Sequence, residues 1–387
     1  MIKKQKLPFD ILDSIRGIAA LYVAIAHCRG VLWMGGTEYS KLFPRAGWDV
    51  FDYLIVGSSL LTRMAVEFVI VFFVLSGFSI AHSLSSETSA LSFYKRRLIR
   101  IYPSYIMALL WAGIVFFVTK AAFPEWYDGT FSEFAFIRTT EMNGFFEPVQ
   151  IARNILYMPG NGLITPLWSL TYEVIFYLLA PFLLRRINLY LSLSAFLFVA
   201  YLLIPGEIDG LGIPIYFHRF LFEFNIYFAI GIFFYKYYSR IMAGFSRIPR
   251  MAAGSLLLII LASMYFLNFK FGGETWINFL VSGIFSVGLI LYFILYQVRL
   301  PWLIKVGQFS YTLYITHFAT IYLYLAGYWW LSGSREQYIV AYWVWMPAVI
   351  FCLLVAWLNY RVIESKTKDI LDRLRKKQKA TALKIGN

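Results

Sequence analysis

Residues 12–28 read Leu-Asp-Ser-Ile-Arg-Gly-Ile-Ala-Ala-Leu-Tyr-Val-Ala-Ile-Ala-His-Cys, and this stretch decides the class of the molecule. It lies at the centre of an apolar run, 11–31, long enough at about 1.5 Å per residue to cross a hydrocarbon layer about 30 Å thick. Lys3, Lys4 and Lys6 precede the run and no small-residue cleavage site follows it, so it reads as a retained transmembrane helix and not as a signal peptide. Yet the run carries Arg16 and His27. Ionisable groups inside a membrane span are costly, and they face a cavity or a partner more often than lipid.

The same reading extends along the chain. Of 387 residues, 60% are hydrophobic and 14% charged, against roughly 25% charged in soluble domains; no soluble fold hides that much apolar surface. Apolar runs at 11–31, 64–84, 101–122, 166–184, 187–204, 217–235, 251–269, 275–296, 307–328 and 339–360 predict about ten transmembrane helices. The net charge of +14 gathers at every second junction: Lys3, Lys4 and Lys6; Lys95, Arg96, Arg97 and Arg100; Arg185 and Arg186; Lys236, Arg240, Arg247 and Arg250; Arg299 and Lys305; and the tail from Arg361, with Arg373, Arg375, Lys376 and Lys377. The alternate junctions hold only scattered cations such as Arg29, Lys41, Arg45, Lys120, Arg138, Arg153 and Arg335. By the positive-inside rule this predicts an all-α integral membrane protein, a single bundle of about ten transmembrane helices with N- and C-termini cytoplasmic. It comprises one membrane domain, 1–365, and a basic cytoplasmic tail, 366–387. The longer outer segments, 32–63 and 123–165, hold Trp and Tyr suited to the interface and to the mouth of a site. Because the cations form no continuous basic face interleaved with aromatics, nucleic acid is not an expected partner. Cys28 and Cys352 both lie within spans, which argues against a disulfide framework or a cysteine metal site, and no metal is expected.

Four constellations carry chemistry. Arg16 and His27 are separated by three helical turns plus about 20°, so they share a face and stand about 16 Å apart along the axis. Asp13, three residues before Arg16, is placed to orient its guanidinium. Taken singly, Arg16 reads as well as a snorkelling anchor and His27 as a satisfied buried histidine. Their common face favours a cofactor with a charged head at Arg16 and a long neutral arm reaching His27. In Phe93-Tyr94-Lys95-Arg96-Arg97-Leu98-Ile99-Arg100-Ile101-Tyr102-Pro103, Arg97 and Arg100 at i, i+3 offer two guanidinium forks to phosphate, although such a junction holds cations for topology alone. In Trp168-Ser169-Leu170-Thr171-Tyr172-Glu173 the carboxyl of Glu173 lies inside the fourth span, in the outer half of the bilayer with His27, and needs a partner or a proton; His27 and His317 are candidates. The stretch Tyr311-Thr312-Leu313-Tyr314-Ile315-Thr316-His317 places His317 near mid-membrane. His82 and His218 fall near helix ends, outside the core site. Arg219 and Glu223, at i, i+4, read as a structural pair or as the lining of an outer cavity.

In these residues the chain resembles the acyltransferase 3 family of integral membrane O-acyltransferases, from Leu12 to about Tyr360. The resemblance rests on the order and spacing of L-D-S-I-R-G with Arg16 and His27, F-F-V-L-S-G-F at Phe72–Phe78, R-R-L-I-R-I-Y-P at Arg96–Pro103, W-S-L-T-Y-E at Trp168–Glu173 and Y-T-L-Y-I-T-H at Tyr311–His317. The chain departs from the family at Thr171 and Tyr172, where relatives more often have Ser followed by a small aliphatic residue, and at Ser79 and His82, at the cytoplasmic cofactor mouth, where relatives have an apolar stretch. The resemblance implies a multi-pass enzyme of the cell inner (plasma) membrane. It would transfer an acetyl or other short acyl group from acyl-CoA, acetyl-CoA foremost, to a hydroxyl of an extracytoplasmic carbohydrate or lipid-linked sugar, with membrane lipids as its surroundings. With the Arg16–His27 stripe, the resemblance points to acyl-CoA binding by Arg16, Arg97 and Arg100, catalysis by His27 as general base, or through an acyl-histidine intermediate, with Glu173 orienting or charge-balancing the imidazole, and support from Asp13, Ser169 and His317. The competing reading is a secondary transporter of a small anionic or sugar substrate that uses Arg16, His27 and Glu173. The chain shows neither the internal repeat nor the paired broken helices such transporters carry.

Overall fold

The computed structural model describes residues 8–85, 89–127, 146–158, 164–273, 275–333, 341–371 and 373. Lys3, Lys4, Lys6, Arg138, Arg335, Arg375, Lys376 and Lys377, and most of the segment 123–165, lie outside the described residues. Each expected span has its helix: α1 (Phe9–Leu32), α2 (Ala65–Leu84), α3 (Ala90–Ala122), α4 (Trp168–Leu183), α5 (Ile187–Leu203), α6 (Asn225–Lys236), α7 (Arg250–Phe271), α8 (Trp276–Leu295), α9 (Ser310–Ser332) and α10 (Trp345–Asn359). Among the described residues there is no strand. Eight helical stretches among them are long and apolar enough to cross a membrane, and one of these, Thr165–Leu203, bends at Leu184–Arg186 into α4 and α5. α9 is not among the eight: Thr, Tyr and Trp residues and His317 interrupt its apolar run, and Thr312, Thr316, His317 and Thr320 are buried within the protein. The molecule is an all-α membrane protein.

Three boundaries differ from the expected spans, each for a local reason. α3 begins well before residue 101, so Arg97 and Arg100 stand on the helix itself and not on a loop before it. α6 is short because Ile215–Arg219 and a π turn at Phe220–Phe224 lead into it. After α10 the chain passes through a second π turn, Tyr360–Glu364, and remains helical to Leu371, with no break at residue 365.

α1 threads the bundle in contact with α2, α8, α9 and α10. In lipid the apolar effect does little to join helices, and close backbone approach at small residues takes its place. A Cβ on Gly231 of α6 would lie 2.0 Å from the Val74 carbonyl oxygen of α2, and one on Gly77 of α2 would lie 2.1 Å from that of Phe228. α1 meets the short helix Pro301–Gln308 in the same way through Gly17 and Gly307. At the basic end, Arg299 pairs with Asp10 at 2.5 Å, and Thr312 of α9 donates to Glu364 at 2.5 Å, which holds α10 against α9. The far end is covered by Gly35–Leu42 and Val50–Leu60, where Tyr39 donates to Asp52 and Ser58 bonds Tyr342 at 2.7 Å.

Candidate active site

A polar column runs between α1, α2, α4 and α9. At its basic end the Arg16 guanidinium bonds Asp13, one turn earlier on α1, and Ser79 of α2, both at 2.9 Å. One turn along α2, Ser76 donates to Glu173 Oε1 at 2.9 Å, and the same oxygen accepts from Tyr177, one turn further along α4. Arg97, half-buried, reaches this level from α3, with its guanidinium 5.2 Å from the Tyr177 ring centre and 5.5 Å from that of Phe93. Arg100 stays exposed at the surface.

One turn back along α4, Ser169 and Tyr314 of α9 share a hydrogen bond of 2.6 Å. The Tyr314 hydroxyl donates its single proton to the Pro166 carbonyl at 2.7 Å, so Ser169 is the donor and the bond clamps α4 to α9. One turn along α9 stands His317, with Nε2 2.8 Å from Nδ1 of His27. These contacts agree on height. From Ser79 to Ser76, from Glu173 to Ser169 and from Tyr314 to His317 the rises sum to about 15 Å, against about 16 Å from Arg16 to His27 along α1.

The two histidines have an assignable proton order. His317 Nδ1 lies 3.1 Å from the Leu313 carbonyl oxygen and 2.8 Å from that of Tyr314. Carbonyls only accept, so Nδ1 carries the proton and Nε2 of the neutral ring is an acceptor. His27 must then donate from Nδ1, which leaves its own Nε2 with a free lone pair. His317 is fully buried, whereas His27 retains some exposure. The fixed ring lies inside, and the basic nitrogen belongs to the ring that is not fully buried.

Asp13, Arg16, Ser169, Glu173, His27, His317 and Arg97 therefore fall on or beside one column. The expected contact between Glu173 and the His27 imidazole is not made. Glu173 is level with Ser76, about 10 Å nearer the basic end, because the chain enters α4 below the height of His27. His317 takes the place expected of the carboxylate. Sequence reasoning gave no site role to Ser76, Tyr177 and Tyr314, and noted Ser79 only as a departure from the family at the cofactor mouth. A signal existed for three of them: Ser76 and Ser79 share a face of an otherwise apolar helix at i, i+3, and Tyr177 follows Glu173 at i, i+4. His82 bonds Tyr235 at 3.1 Å and His218 approaches Asp209 at 3.1 Å, both away from the column. Cys28 and Cys352 are buried thiols 3.9 Å apart. Among the described residues no group of three or more His, Cys, Asp or Glu side chains is arranged to hold a metal ion.

The profile of the acyltransferase 3 family, described as an acyltransferase domain, matches residues 9–361. Acyltransferase MdmB of Streptomyces mycarofaciens is 33% identical over 138 residues, which are 34% of this chain and 32% of that protein, so the likeness spans about a third of that relative's length. No solved structure matches the chain. With nearly its whole length inside the family profile, the chain belongs to the acyltransferase 3 family.

Proposed function

We propose that this acyltransferase moves a short acyl group, acetyl foremost, from acyl-CoA bound at the basic, cytoplasmic end to a hydroxyl of a carbohydrate or lipid-linked sugar at the opposite face of the cell inner membrane. The observation that carries the reading is the chain of hydrogen bonds from the Leu313 and Tyr314 carbonyls through His317 to His27. It leaves a basic nitrogen at the head of a polar column whose foot holds cations.

Arg16, Arg97 and Arg100 bind the phosphates, and the pantetheine arm lies along the column past Tyr177, Glu173 and Ser76. His27 Nε2 takes the proton of the acceptor hydroxyl as its oxygen attacks the thioester carbonyl. The imidazolium so formed keeps its Nδ1 proton on His317 Nε2, a charge-assisted bond that grows stronger as charge develops. Collapse of the tetrahedral intermediate breaks the carbon–sulfur bond, and the departing thiolate takes up the proton from His27. Glu173 acts as a positioning group: it holds Tyr177 beneath Arg97 and Ser76 in the column wall.

The experiment is thioester cleavage by the purified full-length protein in lipid nanodiscs, with acetyl-CoA and succinyl-CoA, alongside His27→Ala. Cleavage that depends on His27 is the expected result. No cleavage of any short acyl-CoA, or equal cleavage by the variant, overturns the proposal and favours transport. Mass spectrometry of surface polysaccharides from cells with and without the gene then identifies the acceptor.

A further inference from the structure

At the far ends of α5, α7 and α8 lies a cleft of about 540 Å³ outside the polar column. Its walls are the rings of Phe198, Tyr201, Phe271, Trp276 and Phe279, and its carboxylate is Glu223. Glu223 stands in the π turn before α6, an irregular element that recurs at functional sites. Arg219 holds it through Nε, 3.3 and 3.1 Å from the two carboxylate oxygens. The Arg219 guanidinium lies 5.0 Å from the Phe224 ring centre and 5.9 Å from that of Trp168, and is not part of the cleft wall. The cleft therefore faces the carboxylate side of an Arg219–Glu223 ion pair.

A sugar ring matches that wall: one face of C–H groups for the aromatics and a rim of hydroxyl donors for the carboxylate. A lipid chain does not, since it would cover the Arg219–Glu223 ion pair and offer nothing to the carboxylate lone pairs that Arg219 leaves open. The cleft is also joined to the proposed reaction centre. Phe279 meets Phe224 at 5.9 Å between ring centres and Phe224 meets Trp168 at 5.5 Å. Trp168 opens α4, and its neighbour Ser169 is bonded to Tyr314, one turn from His317.

We infer that this cleft binds a neutral sugar ring of the acceptor, with Glu223 accepting its hydroxyls and discriminating against anionic sugars; the assignment rests on the acyl-transfer reading above. The test is saturation-transfer NMR of the full-length protein in nanodiscs with methyl glycosides of neutral hexoses and deoxyhexoses, their disaccharides, and the matching uronic acids. Saturation transfer to neutral glycosides is expected, with uronates about tenfold weaker. Trp276, 52% exposed, is replaceable without opening the core. Trp276→Ala and Tyr201→Ala should each weaken neutral binding about tenfold, Trp276→Ala at an unchanged melting temperature. Glu223→Gln, of equal size, should narrow the gap between neutral sugar and uronate. Saturation transfer to no neutral glycoside, or transfer unaffected by both aromatic substitutions, overturns the inference. Sugar binding that is lost in those variants, without acylation of any bound sugar, leaves the cleft standing and overturns acyl transfer to a sugar. Acylation of a neutral glycoside indifferent to Trp276 and Tyr201 does the reverse.

Discussion

A neutral histidine has two ring nitrogens and one proton, and the partner of one nitrogen decides whether the other is basic. For His27 that partner is His317, whose own proton is committed to backbone carbonyls one turn back. If His27 is the general base, His27→Ala should lower turnover about 10²- to 10⁴-fold with the protein still folded and inserted in the membrane. His317→Ala removes the acceptor of the Nδ1 proton and leaves the base itself in place. Loss of a charge-assisted bond of about 1.5–3 kcal/mol should lower kcat about ten- to a hundredfold and leave the acyl-CoA KM near its starting value. Steady-state kinetics in nanodiscs separate the two; a His317→Ala enzyme with full kcat would return that residue to packing. The arginines should differ as well. Arg97 is half-buried against Phe93 and Tyr177 while Arg100 is exposed, so Arg97→Ala should raise the acyl-CoA KM more than Arg100→Ala, whose contact solvent screens. Equal, unchanged KM values for both would leave the cluster a topology anchor.

Helices hold the polar column in register, and their closest approaches depend on glycine. α2 and α6 meet backbone to backbone at Gly77 and Gly231, where an added Cβ has nowhere to go but into a carbonyl. Gly231→Ala should cost about 1–3 kcal/mol by forcing the pair apart, and should displace Ser76 and Ser79 with it. Gly327 of α9 is the control, since a Cβ there meets nothing within 4 Å. Gly327→Ala should be neutral or stabilising by up to about 1 kcal/mol, as alanine is the better helix former. Thermal unfolding of the purified variants reads both. Equal melting temperatures would show that the α2–α6 crossing has slack that its backbone distances deny. Such crossings are what the apolar runs leave open: periodicity marks each helix, and 3.6 residues per turn says which face a residue takes, but not which helix it meets.

Across the whole molecule the cations gather at one end of the helices and His27 stands near the other, about 16 Å above Arg16. Acyl-CoA supplied to vesicles on the face that carries Arg97 should therefore acylate an impermeant sugar supplied on the opposite face. Acylation only when donor and acceptor share a face would overturn the crossing and leave the acyltransferase assignment intact. The spans were legible in the sequence because hydropathy and charge are properties of the chain in one dimension. So were the Arg16–His27 stripe and the Asp13–Arg16 pair, because residues within one helix have a known geometry. Where a prediction needed two helices, it failed or was incomplete. Glu173 was expected beside His27 and stands level with Ser76; Arg16 found Ser79, and His27 found a residue 290 positions away. A bilayer solvates every apolar face alike, so hydrophobicity carries a helix into the membrane without choosing its neighbour. That choice falls to glycine crossings and to buried polar groups that must each find a partner, and these are satisfied only in the assembled bundle.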